Sequence, residues 1–404
     1  MAQSVLGSLT LGYRMLWGRH RTLVGVRLMA HAEGTDGNHL LRTLAELASA
    51  ESPPLLLSAR SPALLRDVLV GAKPGTPLVE VPLSWMDGDA ALAAAVRRAR
   101  ERGAALLASG TPEQQSRVPA GGFARRAIVL SAQTAAQALQ GARAPGGAAR
   151  PPRQADSPIT PDSLVFGVAS RALADHALDQ QGAWAVEGWP TEDMLHSYRG
   201  QPLPPTRSAI TQVLRALDDE PSLERVETLF AREPAQVYRL LVYLNSAGLG
   251  LRGSISSLRH GFMMLGYGTL GHWLGEQLPG ASDDPNLLPL NAQMVMRAHL
   301  TAQLMDAGIE DGLRREAYLC GLFSDLELVQ NEELRVALAR IPLPPMLVEA
   351  LQHRSGPYAP ALRVARALEG NDPGALRDAI SSAPLSREDV NRALLRLLST
   401  TRSL

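Results

Sequence analysis

Between Val237 and Leu278 the chain reads VYRLLVYLNSAGLGLRGSISSLRHGFMMLGYGTLGHWLGEQL, and its apolar spacing leaves only a helical solution. Val237, Leu240, Leu241, Leu244 and Ala247 recur every three or four residues, which gathers them on one helix face. Asn245-Ser246 and then Gly248 and Gly250 predict the stop, because glycine enters the left-handed region freely. A second helix is expected from a Ser256 or Ser257 cap, with Leu258, Phe262 and Leu265 on its apolar side. The break at Gly266-Tyr267-Gly268 predicts a third, presenting Leu270, Trp273, Leu274 and Leu278. Three such faces in succession require a helical core.

The N-terminal part has a different rhythm. Residues 22–29, 54–58, 77–81, 104–108 and 127–130 are short apolar runs of strand length, with helix-like segments over 38–50, 63–71, 90–103 and 131–140 between them. Alternating buried strands and helices predict a parallel α/β sheet, in an order compatible with a (β/α) barrel. Residues 141–163, GARAPGGAARPPRQADSPITPDS, are rich in proline, glycine and alanine and predict a flexible excursion. A further strand at 183–186 continues the α/β unit, and from Pro205 onward only helical patterns follow. The expected organisation is an α/β domain over 1–198 and an all-helical domain over 199–404, and 404 residues suffice for two cores.

Charge excludes little but points nowhere: 40 basic and 40 acidic residues give a net charge of +0, so no basic excess predicts nucleic acid binding. The single cysteine, Cys320, excludes an internal disulfide and reads as a small buried hydrophobe. No apolar run approaches membrane-spanning length, and the start lacks a signal-peptide pattern, so a soluble cytoplasmic protein with no membrane partner is expected. Acidic pairs at Asp283-Asp284 and Asp325/Glu327 read as solvated helix ends. Trp184 and Trp189 read as core, and Arg252, Arg259 and His260 as a solvated rim.

The helical half resembles a known module. Leu203, Pro204 and Pro205, then Leu240 and Leu241, Asn245, Ser246 and Ala247, Ile255 and Ser257, and Leu265 and Gly266 are similar, in that order, to the signature of the HDOD domain, a helical relative of HD phosphohydrolases. The family often has alanine where His260-Gly261 stands. HD hydrolases hold metals with a His-Asp doublet, and this chain has none. Asp175-His176 is reversed and outside the helical domain, and His260, His272 and His299 are read as surface or capping residues.

HDOD domains commonly follow a degraded EAL domain, the barrel that hydrolyses cyclic di-GMP, and the first half resembles one. In that family the first strands carry a glutamate, and later strands an asparagine, a Thr-Glu pair and an Asp pair that hold two divalent cations. The matching run Val24-Gly25-Val26-Arg27-Leu28-Met29 puts Arg27 at the glutamate position. Ser58 falls near the asparagine, Pro82-Leu83 near the Thr-Glu pair and Ala108-Ser109 near the Asp pair, while Glu80 survives. Val186-Glu187-Gly188-Trp189-Pro190 is similar to the closing strand. A cation at Arg27 repels a metal, so the resemblance implies no catalytic residue, no metal and no cofactor.

The resulting expectation is a non-catalytic bacterial signalling scaffold in cyclic di-GMP-related regulation, acting through protein partners, with a homodimer left open. Two alternatives are a sensor that binds cyclic di-GMP without cleaving it, with Arg27 on a phosphate, and a phosphodiesterase or phosphohydrolase with rearranged ligands.

Overall fold

The computed structural model describes residues 5–32, 36–119, 121–142, 157–219, 221–249, 254–305 and 311–401. By its internal contacts the chain divides into one unit of residues 1–194 with 367–403, and a second of residues 195–366.

The first unit is a closed barrel of eight strands: β1 (Leu9–Trp17), β2 (Leu23–Ala32), β3 (Leu55–Ala59), β4 (Leu78–Pro82), β5 (Leu106–Gly110), β6 (Arg125–Val129), β7 (Leu164–Phe166) and β8 (Ala185–Glu187). From β2 to β8 neighbours are parallel, and β1 is antiparallel to both β2 and β8. The reversal follows from a short connection: Gly18 N–H donates to Thr22 O at 3.0 Å and Arg21 takes φ 57°, so the chain turns back before a crossover helix can form. Leu16, Leu56, Leu107, Ala127, Leu164, Phe166 and Ala185 form one small cluster inside the barrel. Strand alternation puts Gly12, Arg14, Arg27, Met29, Ser58, Glu80, Ser109 and Glu187 on that same inner side. The expected fold class, an α/β barrel followed by an all-helical part, is the observed one.

Two strands, β1 and β7, have no counterpart among the expected runs. Of the excursion 141–163, residues 143–156 lie outside the described residues. Its end, read as flexible, is instead built into the unit: Ile159 is buried, and Ser157 Oγ lies 3.2 Å from His176 Nε2.

The last residues also differ from the expected 199–404 domain. Helices Pro373–Ser381 and Arg387–Leu398 pack against β1, and the second also against helix Val5–Ser8. The cause lies in β1, which β8 pairs only at Leu16 and Trp17. Asn391, 1% exposed, serves backbone groups at the other end of that edge: its Nδ2 donates to Leu6 O at 2.7 Å and Leu9 O at 2.9 Å, and its Oδ1 accepts from Leu11 N at 3.1 Å. Main-chain groups here are satisfied by a side chain in place of a strand.

The second unit is helical, built around Phe230, Phe262, Trp273, Tyr238 and Phe323, with edge-on ring pairs at Phe230–Phe262 and Tyr238–Phe323. Its central stretch stops and breaks at the expected places, Asn245 and Gly266, but the first stop is made differently. Helix Pro234–Leu244 is stopped by Asn245: its Nδ2 donates to Leu241 O at 2.7 Å and Ile255 O at 2.8 Å, while Oδ1 accepts from Ile255 N at 2.9 Å. Gly248 is not left-handed, Gly250 lies outside the described residues, and Ala247 is exposed instead of facing the core. The second and third expected helices are observed within Leu258–Gln277, the first capped by Ser257, and they are separated as expected at Gly266, whose φ of 70° and ψ of 162° are non-helical and suit glycine.

Helices Leu287–Leu304 and Asp311–Leu322 approach closely at Gly321, where a β carbon would lie 2.6 Å from Ala298 Cα and 2.9 Å from Arg297 O. Backbone cannot give way as a side chain can. Gly321→Ala is therefore expected to destabilise the helical unit by about 1–3 kcal/mol despite alanine's better helix propensity, read as a lower thermal midpoint. Among the described residues no helix is long and apolar enough to cross a membrane.

Candidate functional site in the barrel interior

Four strands converge on Arg27, which is 6% exposed. Its Nε donates to Ser58 Oγ at 2.7 Å and Glu80 Oε2 at 3.0 Å, its Nη2 to Glu80 Oε2 at 2.7 Å, and its Nη1 to Glu187 Oε1 at 2.5 Å. Ser58 Oγ also donates to Glu80 Oε2. The guanidinium carbon lies over the ring of Phe166 on β7, 4.2 Å from its centroid. Burial disfavours the cation, but Glu80 and Glu187 more than offset it and hold the Arg27 pKa above the ordinary arginine value.

The register explains the convergence. Arg27 pairs with Leu56, two residues before Ser58, and the Leu56–Leu78 and Leu57–Val79 pairing carries on to set Glu80 level with Ser58, so both stand one inward position beyond Arg27. Glu187 closes the ring because β8 ends there, next to β1. The resemblance alone aligns Arg27, Ser58 and Glu80, and the fold brings them together. The sequence presents Glu187 only as part of the closing strand; its signal is an acidic residue at the inward register of the Ala185–Glu187 strand. Ser109 is buried on β5, level with Pro82 on β4.

These residues do not fit a divalent cation. Glu80 and Glu187, the carboxylates that could ligate one, both accept from the same guanidinium, and among the described residues no three His, Cys, Asp or Glu side chains form a metal-binding group. A phosphate at Arg27 would have to share the guanidinium with Ser58, Glu80 and Glu187, to which Nε, Nη1 and Nη2 already donate.

The end of the barrel toward which the parallel strands run is lined by the chain itself. On the inner side of β1, a β carbon at Gly12 would lie 3.4 Å from Gly370 O and 3.5 Å from Leu368 O. His31, next on the inner side of β2 after Met29, has its pKa lowered to about 4 by burial and by Arg60 and Arg377, with Asp372 opposing. Residues of the 368–377 segment thus stand over β1 and β2 at this mouth. Near the turn into β2, Arg21 pairs with Asp179 at 2.7 Å and Asp175 at 2.5 Å. Asp175 of the reversed doublet is therefore an arginine partner, and His176, 1% exposed, lies 2.7 Å from Gln180 Oε1.

In the helical unit the candidate histidines go to three different surroundings. His260 is exposed, His272 pairs with Glu276 at 3.3 Å, and His299 stands edge-on to Tyr318 at 4.9 Å with its pKa lowered to about 4 by burial. Cys320 is fully buried, and burial pushes its thiol up to about 12. Of the signature residues, Leu203, Leu240, Leu241 and Ile255 are core, Pro205 O accepts from Ser282 N, and half-buried Pro204 lies between. Leu265 packs at the core's edge, and Ser246 is exposed. Asp283 pairs with Arg207 and Asp284 caps Asn286, while Asp325 bridges Arg297 and Arg366. Arg259 pairs with Glu224, and Arg252 lies outside the described residues. Trp184 and Trp189 each lie under an arginine, Arg125 and Arg21.

One carboxylate in this unit was not singled out in the sequence. Glu233, 2% exposed, accepts from Thr206 Oγ1 and Asn291 Nδ2, each at 2.7 Å, yet burial raises its pKa from 4.5 to about 7. Between these values the folded state holds a proton that the unfolded chain has lost, so this group's contribution to stability is full below about pH 4.5 and is lost as pH rises through about 7. At about 1.4 kcal/mol per unit the loss is about 3 kcal/mol. The thermal midpoint of the helical unit is expected to fall between pH 5 and 8, and Glu233→Gln to flatten that slope.

Fold and site together define a closed-barrel protein with a helical unit in the same chain, in which two inner carboxylates share one arginine. No protein-family model matches the chain. It is similar to cyclic di-GMP phosphodiesterase CdgJ of Vibrio cholerae, at 27% identity over 172 residues, which cover 42% of this chain and 40% of that protein. The chain thus spans about two-fifths of the length of this curated relative. Among solved structures, the MmoQ response regulator of Methylococcus capsulatus aligns with a TM-score of 0.41 and 19% identity, over 48% of this chain and 98% of that one. A manganese and cyclic di-GMP complex of Klebsiella pneumoniae BlrP1 aligns with a TM-score of 0.31 and 12% identity, over 47% and 55%.

Proposed function

We propose that this protein is a non-catalytic regulator in cyclic di-GMP-related signalling, working in the cytoplasm through contacts with protein partners. Its similarity to CdgJ supports the signalling context. The observation that carries the non-catalytic part is Arg27, a buried cation held by Glu80 and Glu187 at the centre of the barrel. Phosphodiester hydrolysis by a metal-made hydroxide needs carboxylates free to ligate cations, and a guanidinium between them opposes that use. The 368–377 segment at the mouth adds a steric reason, since a substrate would have to share that space.

The test is incubation of the intact protein with cyclic di-GMP and magnesium or manganese, followed by chromatography. Unchanged cyclic di-GMP is the expected result. Metal-dependent formation of the linear dinucleotide would overturn the reading.

A further inference from the structure

Within the helical unit, a cavity of about 620 Å³ opens beside helix Pro345–His353, and its charge is one-sided. Arg335, Arg354, Arg363, Arg366 and His353 line it, and Glu327 is the carboxylate among its lining residues. In a chain with a net charge of +0 this is a local concentration of guanidinium groups, and it follows from no sequence motif. Three helical segments contribute to it, so the arginines are neighbours through the fold and not along one helix.

Two of these arginines are placed by observable constraints. Arg366 Nη2 donates to Ser324 O at 2.5 Å and Asp325 Oδ1 at 2.8 Å, and Asp325 is in turn bridged to the buried Arg297. Arg354 ends helix Pro345–His353 in the left-handed region, at φ 53° and ψ 32°, a conformation uncommon for a residue with a β carbon. Beside the charges the wall is apolar, with Leu334, Leu351 and Leu362.

We propose that this cavity binds a phosphorylated small molecule of nucleotide size. Guanidinium groups match phosphate oxygens with paired N–H donors, which gives the anion its anchor. The volume lies in the range of small-molecule sites, roughly 300–1,000 Å³, and exceeds what one inorganic anion needs. The leucine wall then takes the less polar part of the ligand, its base or sugar face. This site is separate from the barrel interior and does not depend on the function proposed above.

The experiment is calorimetric titration of the intact protein with adenosine 5′-diphosphate, pyrophosphate and adenosine, at low and moderate salt. Both anions are expected to bind, the diphosphate nucleoside more tightly, with affinity falling as salt rises; adenosine is expected not to bind. Arg335→Glu/Arg354→Glu should weaken both anions at least tenfold at an unchanged thermal midpoint, because both side chains are exposed. Arg97→Glu, beside a different groove on the barrel unit, should leave binding unchanged. Absence of binding by both anions at millimolar concentration, binding of adenosine as tight as that of the nucleotide, or full retention by the double variant would each overturn the proposal.

Discussion

Arg27→Ala is expected to destabilise the barrel unit by about 3–5 kcal/mol, the largest effect of any single substitution considered for this protein. The reason is asymmetry. Glu80 is 5% exposed and Glu187 lies near it across the barrel, and both would lose the guanidinium they are bonded to. The intact cluster itself adds little net stability, because three charges were taken out of water to make it. Arg27→Met combined with Glu80→Gln and Glu187→Gln should therefore recover most of the loss. Urea denaturation followed by the near-ultraviolet signal of the barrel tryptophans measures both. A single variant that unfolds at the wild-type midpoint would mean that the carboxylates find solvent or a counterion, and that the cluster is looser than its distances state.

Asn391→Leu is the second large effect. Leucine matches asparagine closely in size, so the substitution isolates hydrogen bonding: Leu6 O, Leu9 O and Leu11 N lose their partner at once in a site 1% exposed. Buried unsatisfied groups cost about 1–3 kcal/mol each, and water can reach some of them once the helix shifts, so a total of about 3 kcal/mol is expected. The amide of Leu11 should at the same time become the fastest-exchanging of the β1 amides by hydrogen exchange. Protection equal to the wild type would show that residues 367–403 do not complete this edge. The same result bears on the unit division, since these hydrogen bonds tie the last helix to the barrel.

Much of the architecture is legible in the sequence because it rests on periodicity. The apolar runs at β3, β4, β5 and β6 are short and continuous, as buried parallel strands must be, and their observed bounds lie within two residues of the expected ones. β1 escapes because it alternates: Leu9, Leu11, Tyr13 and Met15 face the surrounding helices while Thr10, Gly12 and Arg14 face inward, and such a pattern at the start of a chain resembles no buried strand. β7 is three residues long, below what any pattern can signal. The place of the stop at Asn245 is legible but its means is not, since glycines nearby offer a local explanation and the actual one is a side chain reaching ten residues ahead to Ile255.

The candidate site was half legible for a similar reason. Arg27, Ser58 and Glu80 occupy matched strand positions, which a resemblance can align, but only the closed barrel makes Glu187 a partner of Arg27 across 160 residues. Asn391 and the 368–377 segment are wholly tertiary: helices Pro373–Ser381 and Arg387–Leu398 have the amphipathic pattern of any surface helix, and nothing local says which unit they cover. Glu233 reads as an ordinary charge ahead of a Pro-initiated helix until burial is known.

The claim at the centre of this account is that Arg27 holds the place and the carboxylates that a catalytic metal would need. Manganese titration of the intact protein, followed by electron paramagnetic resonance with and without cyclic di-GMP, tests it most directly. The account predicts that the six-line signal of free manganese persists in proportion to the added ion in both cases. Stoichiometric loss of that signal, abolished by Glu80→Ala in a protein that remains folded, would place a metal where Arg27 stands and contradict it.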